Sequence, residues 1–480
     1  MEQKWWTLIA VCVGIFMLLI DITVVNVALP QIQRSLHSSF SDLQWVVNAY
    51  ALTLAALLLT AGSLADLLGR KRVFATGLIL FTASSLVCGL SSTALMLNLA
   101  RAAQGVGGAI MLATSLALIA QAFRGSDRGA AFAAYGAVIG AAVAVGPLVG
   151  GALTSGLGWR WIFFVNVPIG VAAVFLTIAQ VSESRDPGAT RVDWLGLTTF
   201  SGSLFLFVYA LIQGNGKGWG STEILGCLAG SVVLFAAFLI GELRQERPMF
   251  DLTLLRRPAF AGASLVGFTL SASMYSLFLF LTLYIQNVLG YAPFQAGLRF
   301  LPLTILLFVV APISGRLTVI VPIRLILAVG LVLVAGGLAL MSGLSAGSAW
   351  THLLPGFIVA GIGVGVINPA LASTAVAVVP HSRSGMASGI NGTFRQVGIV
   401  TGIAALGAIF QHEVSTRTLA ALTRSGELAA VVRGTHGALQ STFASGSTGR
   451  LAQALAPRLR DALDGEIVMH TVGAPAASAA

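Results

Sequence analysis

"MLLIDITVVNVALP", Met17 to Pro30, closes an apolar run that begins at Trp5 and is long enough to cross a bilayer. It contains one aspartate, Asp21. An Asp at the centre of a spanning helix costs roughly 2.5–3.5 kcal/mol on insertion scales. A charge kept at that cost is by default a functional group.

Similar runs follow along most of the chain. Of its 480 residues, 56% are hydrophobic and only 9% are charged, against about 25% charged in soluble domains. This predicts an all-α polytopic membrane protein rather than an anchored soluble domain. At ~20 apolar residues per span, thirteen spans are expected, at roughly 5–29, 43–65, 73–92, 94–123, 130–155, 161–181, 194–213, 223–241, 259–286, 294–315, 324–345, 352–379 and 385–411. The first span has no small-residue cleavage site behind it, so it reads as a retained helix. Cys12, Cys88 and Cys227 lie in apolar runs and form neither a disulfide framework nor a metal-ligand spacing. No cofactor or metal is expected.

Orientation follows from the lysines and arginines. With the N-terminus inside, fifteen fall in inner segments, among them Arg70, Lys71, Arg72, Arg256 and Arg257. Four, Arg34, Arg160, Lys217 and Arg299, fall outside. Arg101 and Arg395 lie within spans. Topology thus accounts for the net charge of +10, and no nucleic-acid partner is implied. Of the 17 acidic residues, only Asp21 sits well inside a span.

A shift of 256 residues superposes glycines: Gly105 on Gly361, Gly107 on Gly363, Gly129 on Gly385, Gly136 on Gly392, Gly146 on Gly402 and Gly151 on Gly407. The register predicts a duplicated bundle, as in secondary transporters. It implies an N-terminal six-span bundle over 1–182. Linkers and two inserted spans occupy 183–258, and a C-terminal bundle with five spans occupies 259–411. The polar segment 412–480 is expected outside, disordered or in short helices. Two polar stretches, "ESRDPGATRVD" (183–193) and "ELRQERPMFDLTLLRRP" (242–258), flank the inserted pair.

Between the second and third spans lies "GSLADLLGRKR", Gly62 to Arg72. Charge alone reads it as positive-inside anchoring. Its spacing, Gly62, Leu64, Ala65, Asp66, Gly69, Arg70 and Lys71, resembles the cytoplasmic-loop signature of the major facilitator superfamily. Leu67 stands where that family usually has Arg. The second-half counterpart, "GRLTVIVPIR" from Gly315, carries Val319 at the acidic position.

Arg101, Gln104, Gly105 and Gly107 resemble the fourth-span motif of the superfamily's proton-coupled members. "AAVAVGPLVGGAL", with Gly146, Pro147, Gly150 and Gly151, is also ordinary chemistry for close helix packing. In a fifth span it resembles the antiporter motif, with Ala142 for the usual leading Gly. The repeat partners of Arg101 and Pro147 are Phe357 and Ile403, so both features belong to one half. "DITVVNVALP", "WRWIFFVNVPIG" and "PMFDLTLLRRPAF", in this order, resemble the fourteen-span drug–proton antiporter branch. Residues 5–411 carry the likeness, with the branch's fourteenth span expected to be missing.

The resemblance implies two pseudo-symmetric six-helix bundles with two inserted helices, working by alternating access. Asp21 lies eight residues from the end of its span near Leu29, and Arg101 seven from Ala94, so their depths match. Asp21 is expected to carry the proton and Arg101 to tune it; a purely structural ion pair is the alternative. Asn26, Asn48, Tyr50, Tyr275, Phe278 and Phe394 are candidate cavity residues by position. Arg395 is a second intramembrane charge, set to bind an anionic group or a helix end. The expected substrates are lipophilic, cationic drugs or a toxic metabolite, exported by a monomer in exchange for protons. A nutrient importer is the alternative. No catalytic motif is found, so an enzyme is not expected.

Overall fold

The chain folds into long helices because nearly every segment between its glycine- and charge-rich turns is apolar, and in lipid only a helix satisfies its own backbone. The structure is a computed structural model. It describes residues 2–123, 126–185, 193–245, 250–318, 320–344, 348–377 and 384–424, apart from certain side chains within those helices.

The helices are α1 (Gln3–Leu36), α2 (Phe40–Leu68), α3 (Arg70–Leu90), α4 (Ala94–Ala122), α5 (Ser126–Gly156), the short α6 (Trp161–Phe164) and α7 (Asn166–Gln180). Next come α8 (Trp194–Lys217) and α9 (Thr222–Arg244), then α10 (Pro258–Leu270) and α11 (Ser276–Leu283). The last are α12 (Pro293–Leu317), α13 (Ile323–Leu340), α14 (Leu354–Ala377) and α15 (Ser384–Arg424). Twelve helical segments among the described residues are long and apolar enough to cross a membrane. The 29-residue α2 is a further long helix of largely apolar sequence.

Two differences from the sequence expectation stand out. The span predicted at 259–286 is not one uniform helix. π-helical turns at Ser271–Tyr275 and Tyr284–Val288 flank α11. Such turns are rare and favour functional sites. The helix that carries the last span does not stop at 411: the membrane-length part is Gly389–Val414, and α15 runs on to Arg424. Residues 425–480 lie outside the described residues.

Within the first half α1 packs on α5 and α7, while α4 packs on α2 and α3. In the second, α14 packs on α12 and α13, and α10 on α15. The halves meet where α5 packs on α12 and α2 on α15; α8 and α9 pair with each other, and α8 lies against α2 and α15.

The glycine register has a geometric meaning. A Cβ on Gly105 would collide with the Tyr50 carbonyl on α2, and one on Gly361 would stand 2.7 Å from the Leu303 carbonyl on α12. Gly107 faces Phe81 on α3, and Gly363 faces Val334 on α13. Gly146 abuts Thr23 on α1, and Gly402 abuts Ala272 and Ser276 at the α10–α11 junction. Gly151 meets the start of α12, and Gly407 meets Gln44 near the start of α2. Each pair lets equivalent helices approach where no side chain fits.

Polar contacts join the halves at the end away from the N-terminus. Gln286 Nε2 donates to the Val27 carbonyl at 2.7 Å, and Gln44 Nε2 to the Ile403 carbonyl at 3.0 Å. Arg34 donates to Asn287 Oδ1 at 3.1 Å, and the Phe294 amide to Ser155 Oγ at 3.0 Å. Phe40 lies against Phe280 and Phe410 in the same region.

Candidate proton-coupling site

Asp21 is buried in the first half, 1% exposed, and so is Arg101. They meet: Arg101 Nη1 donates to Asp21 Oδ2 at 2.5 Å. Two neutral donors complete the carboxylate. Gln104 Nε2 reaches Asp21 Oδ1 at 2.9 Å, and Asn166 Nδ2 reaches the same oxygen at 3.1 Å.

Arg101 is tied down independently of Asp21. Its Nε donates to the Val46 carbonyl at 3.1 Å, and its Nη1 also reaches Gln104 Oε1 at 2.8 Å. The guanidinium lies over the Tyr50 ring, 4.2 Å from its centroid, a favourable cation–π placement in a dry site. Behind Asn166, Ser85 Oγ accepts from Asn166 Nδ2 at 3.1 Å and donates to the Phe163 carbonyl at 2.9 Å. Cys88, a free thiol, approaches Gln104 Oε1 at 3.6 Å. One carboxylate thus draws together α1, α2, α4 and α7.

Asn166 and Ser85 escaped the reading of the sequence. The signal was present: Asn166 is the one amide side chain in "WRWIFFVNVPIG", and an amide in an apolar span needs a partner.

The antiporter-like motif packs on the same helix, α1, at the residues that follow Asp21. A Cβ on Gly146 would overlap Thr23 Oγ1, and one on Gly150 would stand 2.9 Å from Val24 Cα. Gly151 and the Pro147 carbonyl face the other way, toward Pro293–Phe294 and Gly297 of α12. The motif is wedged between the helix bearing Asp21 and the opposite half.

At the N-terminal end of the bundle, Gly69 turns the chain with φ 112. A Cβ there would lie 2.7 Å from the Glu183 carboxylate. Glu183 accepts from the backbone amides of Lys71 at 3.0 Å and Arg72 at 3.3 Å. It thereby caps α3, where a helix leaves amides unpaired and favours an anion. Arg70 Nη1 reaches Gln121 Oε1 at 3.0 Å. Gly62 has open space around it. The side chain of Asp66 lies outside the described residues, as does Val319.

The candidate cavity residues separate. Tyr50 belongs to the Asp21 cluster. Asn26 donates to its own helix at Ile22. Asn48 is fully buried, and its amide has no partner among the described residues. Phe278 is packed on Phe300 of α12, centroids 5.2 Å apart, and Phe394 on Phe250 in the core beside α8. Both residues keep part of their surface exposed. Tyr275 and Arg395 come together in the second half, the guanidinium 6.0 Å from the ring centroid.

The sequence profile of the Major Facilitator Superfamily matches residues 11–403. The chain belongs to this family. It is 38% identical over 404 residues to the multidrug resistance protein Stp of Mycobacterium tuberculosis, covering 84% of this chain and 75% of the relative. It is 34% identical to the tetracenomycin C resistance and export protein of Streptomyces glaucescens, covering 86% and 77%. The puromycin resistance protein pur8 of Streptomyces alboniger is 36% identical, covering 85% and 82%. Among solved structures, a peptide transporter POT in complex with sulfate matches with TM-score 0.62 at 15% identity, covering 95% of each chain. A bacterial homologue of the human lysosomal transporter Spinster, inward-facing and unoccupied, matches with TM-score 0.58 at 18% identity, covering 98% and 95%. These two share the fold. The facilitator chain described here is thus a multi-pass membrane protein of a transporter family.

Proposed function

We propose that this facilitator is a proton-driven exporter of lipophilic drugs or toxic metabolites. The names of its relatives, resistance and export proteins, support efflux as the direction. The observation that carries proton coupling is the burial of Asp21 within hydrogen-bond reach of Arg101, Gln104 and Asn166.

The site is built to gain and lose a proton. A carboxylate bound by Arg101 and two amides is charge-compensated. When Asp21 takes a proton, Arg101 keeps the Val46 carbonyl, Gln104 Oε1 and the Tyr50 face. Protonation therefore does not strand a buried cation, the costly outcome when one partner of a buried pair is lost. Because α1 carries Asp21 and also packs on Gly146 and Gly150, a change at the carboxylate bears on α5. Through Gly151 and Gly297 it bears on the contact with α12.

The charge distribution supports a cytoplasmic N-terminus in the plasma membrane. On that orientation the contacts between Gln286 and Val27 and between Gln44 and Ile403 close the outer end. The working unit is a monomer, with bundles at 1–182 and 259–411, the inserted pair at 183–258, and the segment after the last span outside.

The test is dye efflux from proteoliposomes under an imposed pH gradient. Asp21→Asn should fold, bind dye and lose gradient-driven flux. Undiminished flux from that variant would remove Asp21 from the coupling mechanism.

A further inference from the structure

The proposed proton site leaves one intramembrane charge unused. Arg395 sits half-buried in α15, well inside the last span. Among the described residues it has no carboxylate at ion-pair distance. Arginines at membrane depth are normally paired or face a water-filled cavity. This one is enclosed by three elements of the second half. Its stem runs past Gly267 of α10, where a Cβ would stand 3.2 Å from Arg395 Cγ. The same Cβ would lie 3.8 Å from Leu371 of α14, and the guanidinium faces the Tyr275 ring in the first π-turn.

Two polar groups accompany it. Asn368 Nδ2 donates to the Tyr275 hydroxyl at 3.5 Å, which leaves the phenol proton free to be donated onward. Asn368 Oδ1 is buried with no partner among the described residues. One cation, one hydroxyl donor and one orphaned acceptor therefore gather between α10, α14 and α15. In the other half Asp21 is already matched by Arg101, so in this state that pair brings no net charge. Among the described residues the uncompensated intramembrane charge is positive.

We propose that Arg395, Tyr275 and Asn368 form a substrate subsite for an organic anion. Its carboxylate or phenolate oxygen is held by Arg395 and the Tyr275 hydroxyl, and a neighbouring hydroxyl is received by Asn368 Oδ1. The π-turn matters because the added residue rotates Tyr275 relative to the preceding turn of α10. Gly267 matters because a side chain there would press on the arginine stem, 3.2 Å from its Cγ. The inference deepens the export reading by naming a substrate class, but binding can be measured without flux.

The test is equilibrium binding of two dyes on one xanthene scaffold, fluorescein as the anion and a rhodamine ester as the cation, to the purified full chain in detergent. Arg395→Gln should weaken fluorescein binding about tenfold or more, the scale of a lost hydrogen bond to a charged group, and leave the rhodamine ester nearly unchanged. Arg395→Lys should retain part of the preference. Tyr275→Phe keeps the ring under the guanidinium and should lose only fluorescein affinity, by several-fold, so it reads the subsite even if Arg395→Gln folds poorly. Equal losses for both dyes, or fluorescein binding untouched by Arg395→Gln or by Tyr275→Phe, would overturn the subsite. Selective fluorescein binding by a chain that shows no gradient-driven flux would uphold the subsite and overturn the export reading.

Discussion

Gly146 on α5 lies so close to Thr23 on α1 that a methyl group on the glycine would occupy the place of the threonine hydroxyl. Thr23 stands two residues beyond Asp21 on the same helix. Residues two apart on a helix point about 200° away from each other, so the small-residue motif of the fifth span grips the face of α1 opposite the Asp21 side chain.

Gly146→Ala should therefore push α1 and α5 apart. Overpacking of this kind costs about 1–3 kcal/mol, and a lowered unfolding temperature together with reduced dye efflux is expected. Thr23→Ala removes the hydroxyl that the new methyl overlaps but keeps the Thr23 Cβ, 2.6 Å from it. The double variant should recover only part of the lost stability, and if it is no more stable than Gly146→Ala alone, the hydroxyl is not what constrains the glycine.

Arg101 makes bonds in two directions, Nε to Val46 and Nη1 to Asp21 and Gln104. A lysine ammonium cannot reproduce that planar fork. Arg101→Lys should fold with modest loss but show little gradient-driven flux. Arg101→Ala leaves a buried carboxylate without its cation and should lose about 3–5 kcal/mol. Adding Asp21→Asn to Arg101→Ala should restore stability without restoring flux, as followed by thermal unfolding and vesicle transport.

Asn166 carries one hydrogen bond to Asp21 and one to Ser85. Asn166→Ala should cost roughly 1.5–3 kcal/mol, the range for a bond to a charged group, and reduce proton-coupled flux. Asn166→Asp would set a second carboxylate beside Asp21 and should impair transport more than the alanine does. Equal transport by wild type and Asn166→Asp would count against a role for Asn166 at the carboxylate.

Glu183 closes the N-terminus of α3 and fills the space beside Gly69. Glu183→Ala should cost about 0.5–2 kcal/mol, as for loss of an N-cap. Gly69→Ala should be worse, because its φ of 112 is strained for any residue with a Cβ and the carboxylate blocks the space. Combining the two substitutions relieves the collision but not the backbone strain, so only partial recovery is expected. Protease sensitivity of the turn between α2 and α3, in membranes open on that side, would report it.

Much of this was legible in the chain. Hydropathy gives the spans, because a helix in lipid must satisfy its own backbone. The shift of 256 gives the duplication, because the close contacts at Gly105, Gly107, Gly146 and Gly151 recur at Gly361, Gly363, Gly402 and Gly407. Matching depths of Asp21 and Arg101 along their helices foretold that they could meet. Phe278 and Phe394 read as cavity residues by depth alone, and depth did not show which rings they would meet, Phe300 and Phe250. Depth is a one-dimensional coordinate, and the face a side chain takes depends on what lies beside it. The π-turn that sets Tyr275 near Arg395 has no marker in hydropathy.

By itself, then, the sequence determined a duplicated helical membrane protein with one acid and two cations well inside its spans. Only the tertiary structure decided that the acid and one cation neutralise each other, with Asn166 and Gln104 completing the carboxylate, while Arg395 has no carboxylate at ion-pair distance among the described residues. The reason is physical: periodicity and composition fix which residues must leave water, whereas the pairing of charges depends on which helices touch, at what depth and on which face.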